Sequence, residues 1–199
     1  MKDKEIRRIL IAYLGTHPNE LCAKEIRIYQ EKSIGSAICD LMAVTDKLTG
    51  YEIKSDNDDY HRLDRQIKAY DRFFDENYIV VSERHARSAA EHVPPHWGIL
   101  RIRDDSITIE RQAKRNKSVS RRAQLSVLWK LELKNILIMN RMPLYPLKTK
   151  DFIVGAISEQ VDPDLLGRQI ASELMQRDYS VFGADDYTVR SEAEALPHQ

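Results

Sequence analysis

An α/β chain that ends in a purely helical part is the fold class this sequence predicts, and three observations carry it. Short apolar runs bounded by turn residues alternate with apolar stripes at helical spacing as far as Ile109. After Ser120 the strand signals cease and only helical stripes follow. The composition, 42% apolar and 31% charged in 199 residues, belongs to one well-buried core with a small accessory region and excludes disordered, collagen-like and coiled-coil classes.

Taken in order, Ile6, Ile9, Leu10, Tyr13 and Leu14 predict an amphipathic helix over 4–14, stopped by Gly15-Thr16-His17-Pro18-Asn19. Leu21, Ala23, Ile26 and Ile28 predict a second helix that runs through Tyr29, Gln30 and Glu31 to Gly35. Residues 37–44 are nearly all apolar, and a run that short fits a buried strand, interrupted only by Asp40. Turn chemistry from Thr45 to Gly50 leads into a second strand over 51–55, so the pair reads as a hairpin. Asp56, Asp58 and Asp59 read as capping and turn residues, after which Leu63, Ile67, Tyr70 and Phe74 predict a helix over 60–75. A third strand over 78–81, a short helix over 83–91 and strands over 97–102 and 107–109 follow. The stripe from Leu125 to Leu137 predicts one helix, and 150–158 and 163–177 two more. The division this implies is a core over 1–120, a helical subdomain over 121–179 and a loose acidic tail over 180–199.

Several function classes drop out. The longest apolar run near the start, Ile9 to Leu14, is too short for a signal peptide and far below the roughly 20 residues that span a bilayer, so a cytoplasmic chain is expected. Cys22 and Cys39 cannot build a disulfide scaffold or a four-thiolate zinc site and are expected to be buried thiols. His85, His92 and His96 lack a zinc pattern, and no Gly-rich loop implies a nucleotide cofactor. Trp97 and Trp129 read as core anchors. Thirty-one Lys and Arg balance thirty-one Asp and Glu, so a polyanion would have to be held by a local patch. Arg111, Lys114, Arg115, Lys117, Arg121 and Arg122, with no acid among them, are the candidate nucleic-acid-binding cluster.

The chemistry-bearing residues sit on the hairpin. A carboxylate in an apolar strand is costly to bury without a cation, and Asp40 is such a carboxylate. Glu52 and Lys54 alternate with Ile53, so both project to one face of the neighbouring strand. Two carboxylates and an ammonium on one face suit Mg²⁺ or Mn²⁺. A Glu-x-Lys triplet alone is weak, as the second copy Glu132-Leu133-Lys134 illustrates. The first copy differs in having Gln66 and Tyr70 on the next helix, at i and i+4.

The order Asp40, then Glu52-Ile53-Lys54 after a hairpin, then Gln66-x-x-x-Tyr70 resembles the PD-(D/E)XK nuclease superfamily, particularly its RecB-like branch. Gly50-Tyr51-Glu52-Ile53-Lys54-Ser55-Asp56, Arg62-Leu63 and Leu128-Trp129-Lys130-Leu131-Glu132-Leu133 are similar to an uncharacterised family of small bacterial and phage proteins within it, over roughly residues 6–177. Cys39 stands where the superfamily's name has Pro, a position that varies within it. The resemblance implies a restriction-endonuclease-like core with a central mixed sheet flanked by helices. It implies a Mg²⁺- or Mn²⁺-dependent nuclease that hydrolyses phosphodiester bonds, with DNA as substrate, in repair, defence or phage biology. Asp40 and Glu52 would hold the metal, joined by an acid from upstream, Glu31 or else Glu25. Lys54 would orient the attacking water, and Gln66 and Tyr70 would support the site. The rival reading is a nuclease fold that binds nucleic acid or a protein without cutting. Pairing into a homodimer is a further expectation, by analogy with other small nuclease domains.

Overall fold

The computed structural model of the chain describes residues 1–16 and 25–177, together with the backbone of 187–190. Its centre is one mixed sheet of seven strands in the order β6-β5-β4-β3-β2-β1-β7. The elements run α1 (Asp3–Thr16), β1 (Glu25–Ser33), β2 (Ile38–Val44), β3 (Leu48–Lys54), α2 (Leu63–Phe73), β4 (Glu76–Ser82), α3 (Glu83–Ala86), α4 (Ala89–His92), β5 (Gly98–Arg103) and β6 (Ser106–Arg111). The helical region follows as α5 (Arg121–Ser126), α6 (Lys130–Met139), α7 (Lys150–Gln160) and α8 (Pro163–Gln176), and β7 (Tyr187–Arg190) returns to the sheet. The β3–β4 and β4–β5 pairs are parallel; all other pairs are antiparallel. The chain is therefore α/β, with helices on both faces of a mixed sheet and a helical C-terminal region.

Strand alternation sorts the core into two layers. Ile6, Ile9, Leu10 and Leu14 of α1 cover one face, against Ile26, Ile28, Leu41, Ala43, Tyr51, Ile53 and Val80. The opposite face, with Tyr29, Met42, Val44, Ile79 and Val81, is covered by α2 and by Leu125, Leu133, Ile136, Leu166, Ile170 and Leu174 of the helical region. These helices share one continuous buried cluster with the sheet.

Four expectations change. The helix expected over Ile26 to Gly35 is β1; Leu21 and Ala23 lie outside the described residues. Ile26 and Ile28 point one way while Arg27 and Tyr29 point the other, yet all four are buried, because the Tyr29 hydroxyl donates to the Leu174 carbonyl at 2.6 Å and an Arg27 guanidinium nitrogen to Met175 at 2.8 Å. Two covered faces hide the period-two signal. The helix expected over 83–91 is two short ones, α3 and α4. The stripe from Leu125 to Leu137 is split between α5 and α6, where the Trp129 amide donates to the Glu132 carboxylate at 2.6 Å and starts a new helix. Glu132 is in turn gripped by Arg177, whose Nε lies 2.5 Å from Oε1, with both side chains buried. Finally, Tyr187–Arg190 pairs with β1 instead of trailing as a loose tail; the rest of 180–199 lies outside the described residues. Among the described residues no helix is long and apolar enough to cross a membrane.

Candidate active site on the β2–β3 hairpin

The hairpin register decides the site. Leu41 pairs with Tyr51 at the end of the paired register, so Asp40 and Glu52 lie just beyond it on the two adjacent strands, Glu52 on the side that α2 covers and Asp40 within reach of Arg7 from α1. Gly50 permits α2 to close over them: a Cβ there would lie 2.3 Å from the Phe74 ring, so only glycine lets the end of α2 approach β3.

Glu52 is 1% exposed and Lys54 6%. The Lys54 ammonium donates to Glu52 Oε1 at 2.9 Å and to Gln66 Oε1 at 3.1 Å. The other Glu52 oxygen, Oε2, is buried and has no hydrogen-bond partner. Asp40 Oδ2 accepts from the Ile53 amide at 2.8 Å. The Tyr70 hydroxyl donates to the Tyr51 carbonyl at 3.2 Å and accepts from the Asp40 amide at 3.2 Å, tying α2 to both strands. Hence Asp40, Glu52, Lys54, Gln66 and Tyr70 are brought together, with Gln66 positioning Lys54 and Tyr70 positioning Asp40.

The electrostatics follow from the burial of two acids. Burial above all, and then the negative charge of Glu52, push Asp40 up to about 7, against the opposing pull of the Ile53 amide and of Arg7. Burial, reinforced by the Glu52 charge, holds the Tyr70 hydroxyl well above its ordinary range, so it remains a neutral donor. Cys39 is fully buried and pushed up to about 12 by that burial, as expected of an inert thiol; Cys22 lies outside the described residues.

Arg7 is the residue that sequence reasoning missed. From α1 it donates to the Asp40 carbonyl at 2.5 Å and stands 3.7 Å from Asp40 Oδ1. Its sequence signal is nil, since one arginine in an amphipathic helix is ordinary and the contact spans 33 positions.

The donor set fits a hard divalent cation in one respect that can be read directly: a buried carboxylate oxygen without a donor, beside a second acid that the first one charges against. The third acid is not supplied as expected. Glu31 lies across from Asp40 between the pairs Gln30–Leu41 and Lys32–Cys39, but its φ of 49° lifts it out of the ladder. Its carboxylate is 76% exposed and 4.0 Å from Arg7. Glu25 is exposed at the start of β1. Among the described residues no three His, Cys, Asp or Glu side chains gather around one point.

The basic segment is partly engaged in ion pairs and backbone contacts. Arg111 donates to the carbonyls of Trp97 at 2.7 Å and Pro94 at 3.0 Å. Arg115 pairs with Asp164, Arg121 with Asp75 at 2.6 Å and Arg122 with Asp151 at 2.7 Å. Arg121 lies over Gly167, where a Cβ would come within 2.6 Å of its guanidinium, and so locks α5 to α8 and the sheet. Lys114 and Lys117 remain exposed. Arg111 and Arg121 are thus fastened into the fold, whereas Arg115 and Arg122 form surface ion pairs and, with Lys114 and Lys117, stay exposed. Trp97 is the buried anchor expected, donating to Asp71 at 2.8 Å, whereas Trp129 is 36% exposed and stacks under Arg177. His96 bonds Asp71, and His85 and His92 flank the Tyr60 ring. Asp58 accepts from the Ser55 amide at 2.8 Å, a turn role.

Against this geometry the comparisons with known proteins can be set. The model of the family described as bacteriophage P4 protein cII matches residues 1–193. The chain belongs to the bacteriophage P4 cII protein family. No curated protein matches this cII-family chain. A solved protein of unknown function from Silicibacter pomeroyi, SPO1766, is similar at 21% identity and a TM-score of 0.39, over 46% of this chain and 62% of that one. The cII-family chain thus spans less than two thirds of that protein's length.

Proposed function

We propose that this cII-family chain is a Mg²⁺- or Mn²⁺-dependent deoxyribonuclease, a hydrolase of phosphodiester bonds acting in phage biology. The observation that carries the reading is the deeply buried Glu52 carboxylate beside Asp40, one of whose oxygens meets no hydrogen bond of ordinary geometry, with the Lys54 ammonium fixed next to it. A buried carboxylate oxygen with no donor is costly, and a cation is the partner that best relieves it. Asp40 and Glu52 would hold that cation. When bound, the metal would supply positive charge against a phosphate oxygen and make an attacking water more acidic.

The remaining work belongs to the chain's own groups. Lys54, held by Glu52 and Gln66, presents a fixed ammonium to charge that builds on the phosphate in the transition state. The Ile53 amide and Tyr70 hold the Asp40 carboxylate and backbone in place without reorganisation during the reaction. The α2 helix keeps water from Glu52, which strengthens each of these interactions. Incubation of linear, circular and single-stranded DNA with the protein in Mg²⁺ or Mn²⁺ tests this. Expected are cleavage by wild type, products with 5′ phosphates, and loss of cleavage in Asp40→Ala and Lys54→Ala with the fold retained by circular dichroism. Cleavage unchanged in both variants, or a folded wild type inert in both metals, would refute it.

A further inference from the structure

Besides the exposed cations of 111–122, other basic surfaces are open to a polyanion. One lies along α2. A cavity of about 620 Å³ is bounded by the β1–β2 turn at Gly35 and Ser36, by Lys68 and Arg72, and by Lys150 of the helical region. A second, of about 380 Å³, shares Gly35 and Ser36 and continues past Arg62 and Arg65 to Gln66. Both line α2, and the second passes Gln66, the residue that bonds Lys54.

Arg62, Arg65, Lys68 and Arg72 recur at three, three and four, so they share one side of the helix. All four are exposed, and among the described residues none has a side-chain hydrogen bond or ion pair. Asp71, the acid beside Arg72, points elsewhere and accepts from Asn77, His96 and Trp97. Asp64 is the one other acid of α2. The stripe rises about 15 Å at about 1.5 Å per residue. A nucleic-acid strand places a phosphate about every 3.4 Å along a duplex axis, so the stripe spans roughly four of them.

We infer that this stripe carries the phosphodiester backbone of a nucleic-acid strand along α2 and delivers it to the Lys54 end of the hairpin. The inference rests on the nuclease reading for its substrate class but is tested by binding alone. A labelled DNA oligonucleotide is titrated with full-length protein in EDTA over a range of salt concentrations, using wild type, Arg65→Gln/Lys68→Gln/Arg72→Gln and Lys114→Gln/Lys117→Gln, each checked by thermal melting. The α2 variant is expected to weaken binding and to flatten the log–log salt slope by about 2 to 3, at about 0.7–0.9 per lost contact. The Lys114/Lys117 variant is expected to keep the wild-type slope. A slope unchanged in the α2 variant, an equal loss in both variants, or no binding by wild type overturns the inference. An unchanged slope together with cleavage that needs Asp40 removes the track and leaves the nuclease standing. A flattened slope without cleavage in any metal does the reverse.

Discussion

Replacing Glu52 by Gln separates charge from shape in the hairpin. Asp40 is raised from 3.8 to about 7, by burial first and by the Glu52 carboxylate second. Between about pH 4 and 7 the native state therefore keeps a proton that the unfolded chain has released. Protons bound in the unfolded state minus those in the native state is then negative, so metal-free stability falls as pH rises through that window and is level above it. A rise of that size corresponds to about 4 kcal/mol, with burial as the larger cause and the Glu52 charge as the second. The readout is the difference in unfolding free energy between pH 4 and pH 8, from urea melts in EDTA, which should shrink in the variant by a part of that amount. A cation between the two acids adds a second signature. At a hundredfold excess over its Kd, Mn²⁺ would stabilise wild type by about 2.7 kcal/mol, or roughly 5–10 °C in Tm for a chain of this size. Glu52→Gln should lose most of that gain. An identical pH dependence and an identical Mn²⁺ shift in the variant would show that Glu52 neither charges Asp40 nor holds a cation.

Two further outcomes concern the frame around the site. Arg121→Ala removes one partner of a pair whose side chains are each 11% exposed, so it should cost about 3–5 kcal/mol in a denaturant melt; a loss below about 1 kcal/mol would mean that the pair is solvated. Gly50→Ala sets a methyl 2.3 Å from the Phe74 ring and should destabilise by about 1–3 kcal/mol as the end of α2 shifts, whereas a neutral result would show that α2 does not press on β3.

Legibility in the sequence followed the distance over which each feature is decided. The hairpin and α2 were readable because their signals are local: apolar runs, turn residues and a stripe at three and four. The spacing from Glu52 to Lys54 and from Gln66 to Tyr70 placed each pair on one face for the same reason. The β1 strand was misread because Arg27 and Tyr29 look like polar interruptions until α8 supplies carbonyls that bury them. The ion pairs of the basic segment were likewise illegible, since Asp75, Asp151 and Asp164 meet its arginines from 29 to 49 positions away.

By itself, then, the order of residues determined which side chains alternate together, where helices could form and which acids had to be accounted for if buried, because propensity and periodicity act over a few neighbours. Tertiary structure alone decided that Arg7 flanks Asp40, that Glu52 is buried beside Lys54, and that α2 presents a row of exposed cations with no side-chain partner among the described residues. Each of those depends on surfaces meeting across the sheet, where burial and charge are set by partners that no local pattern names.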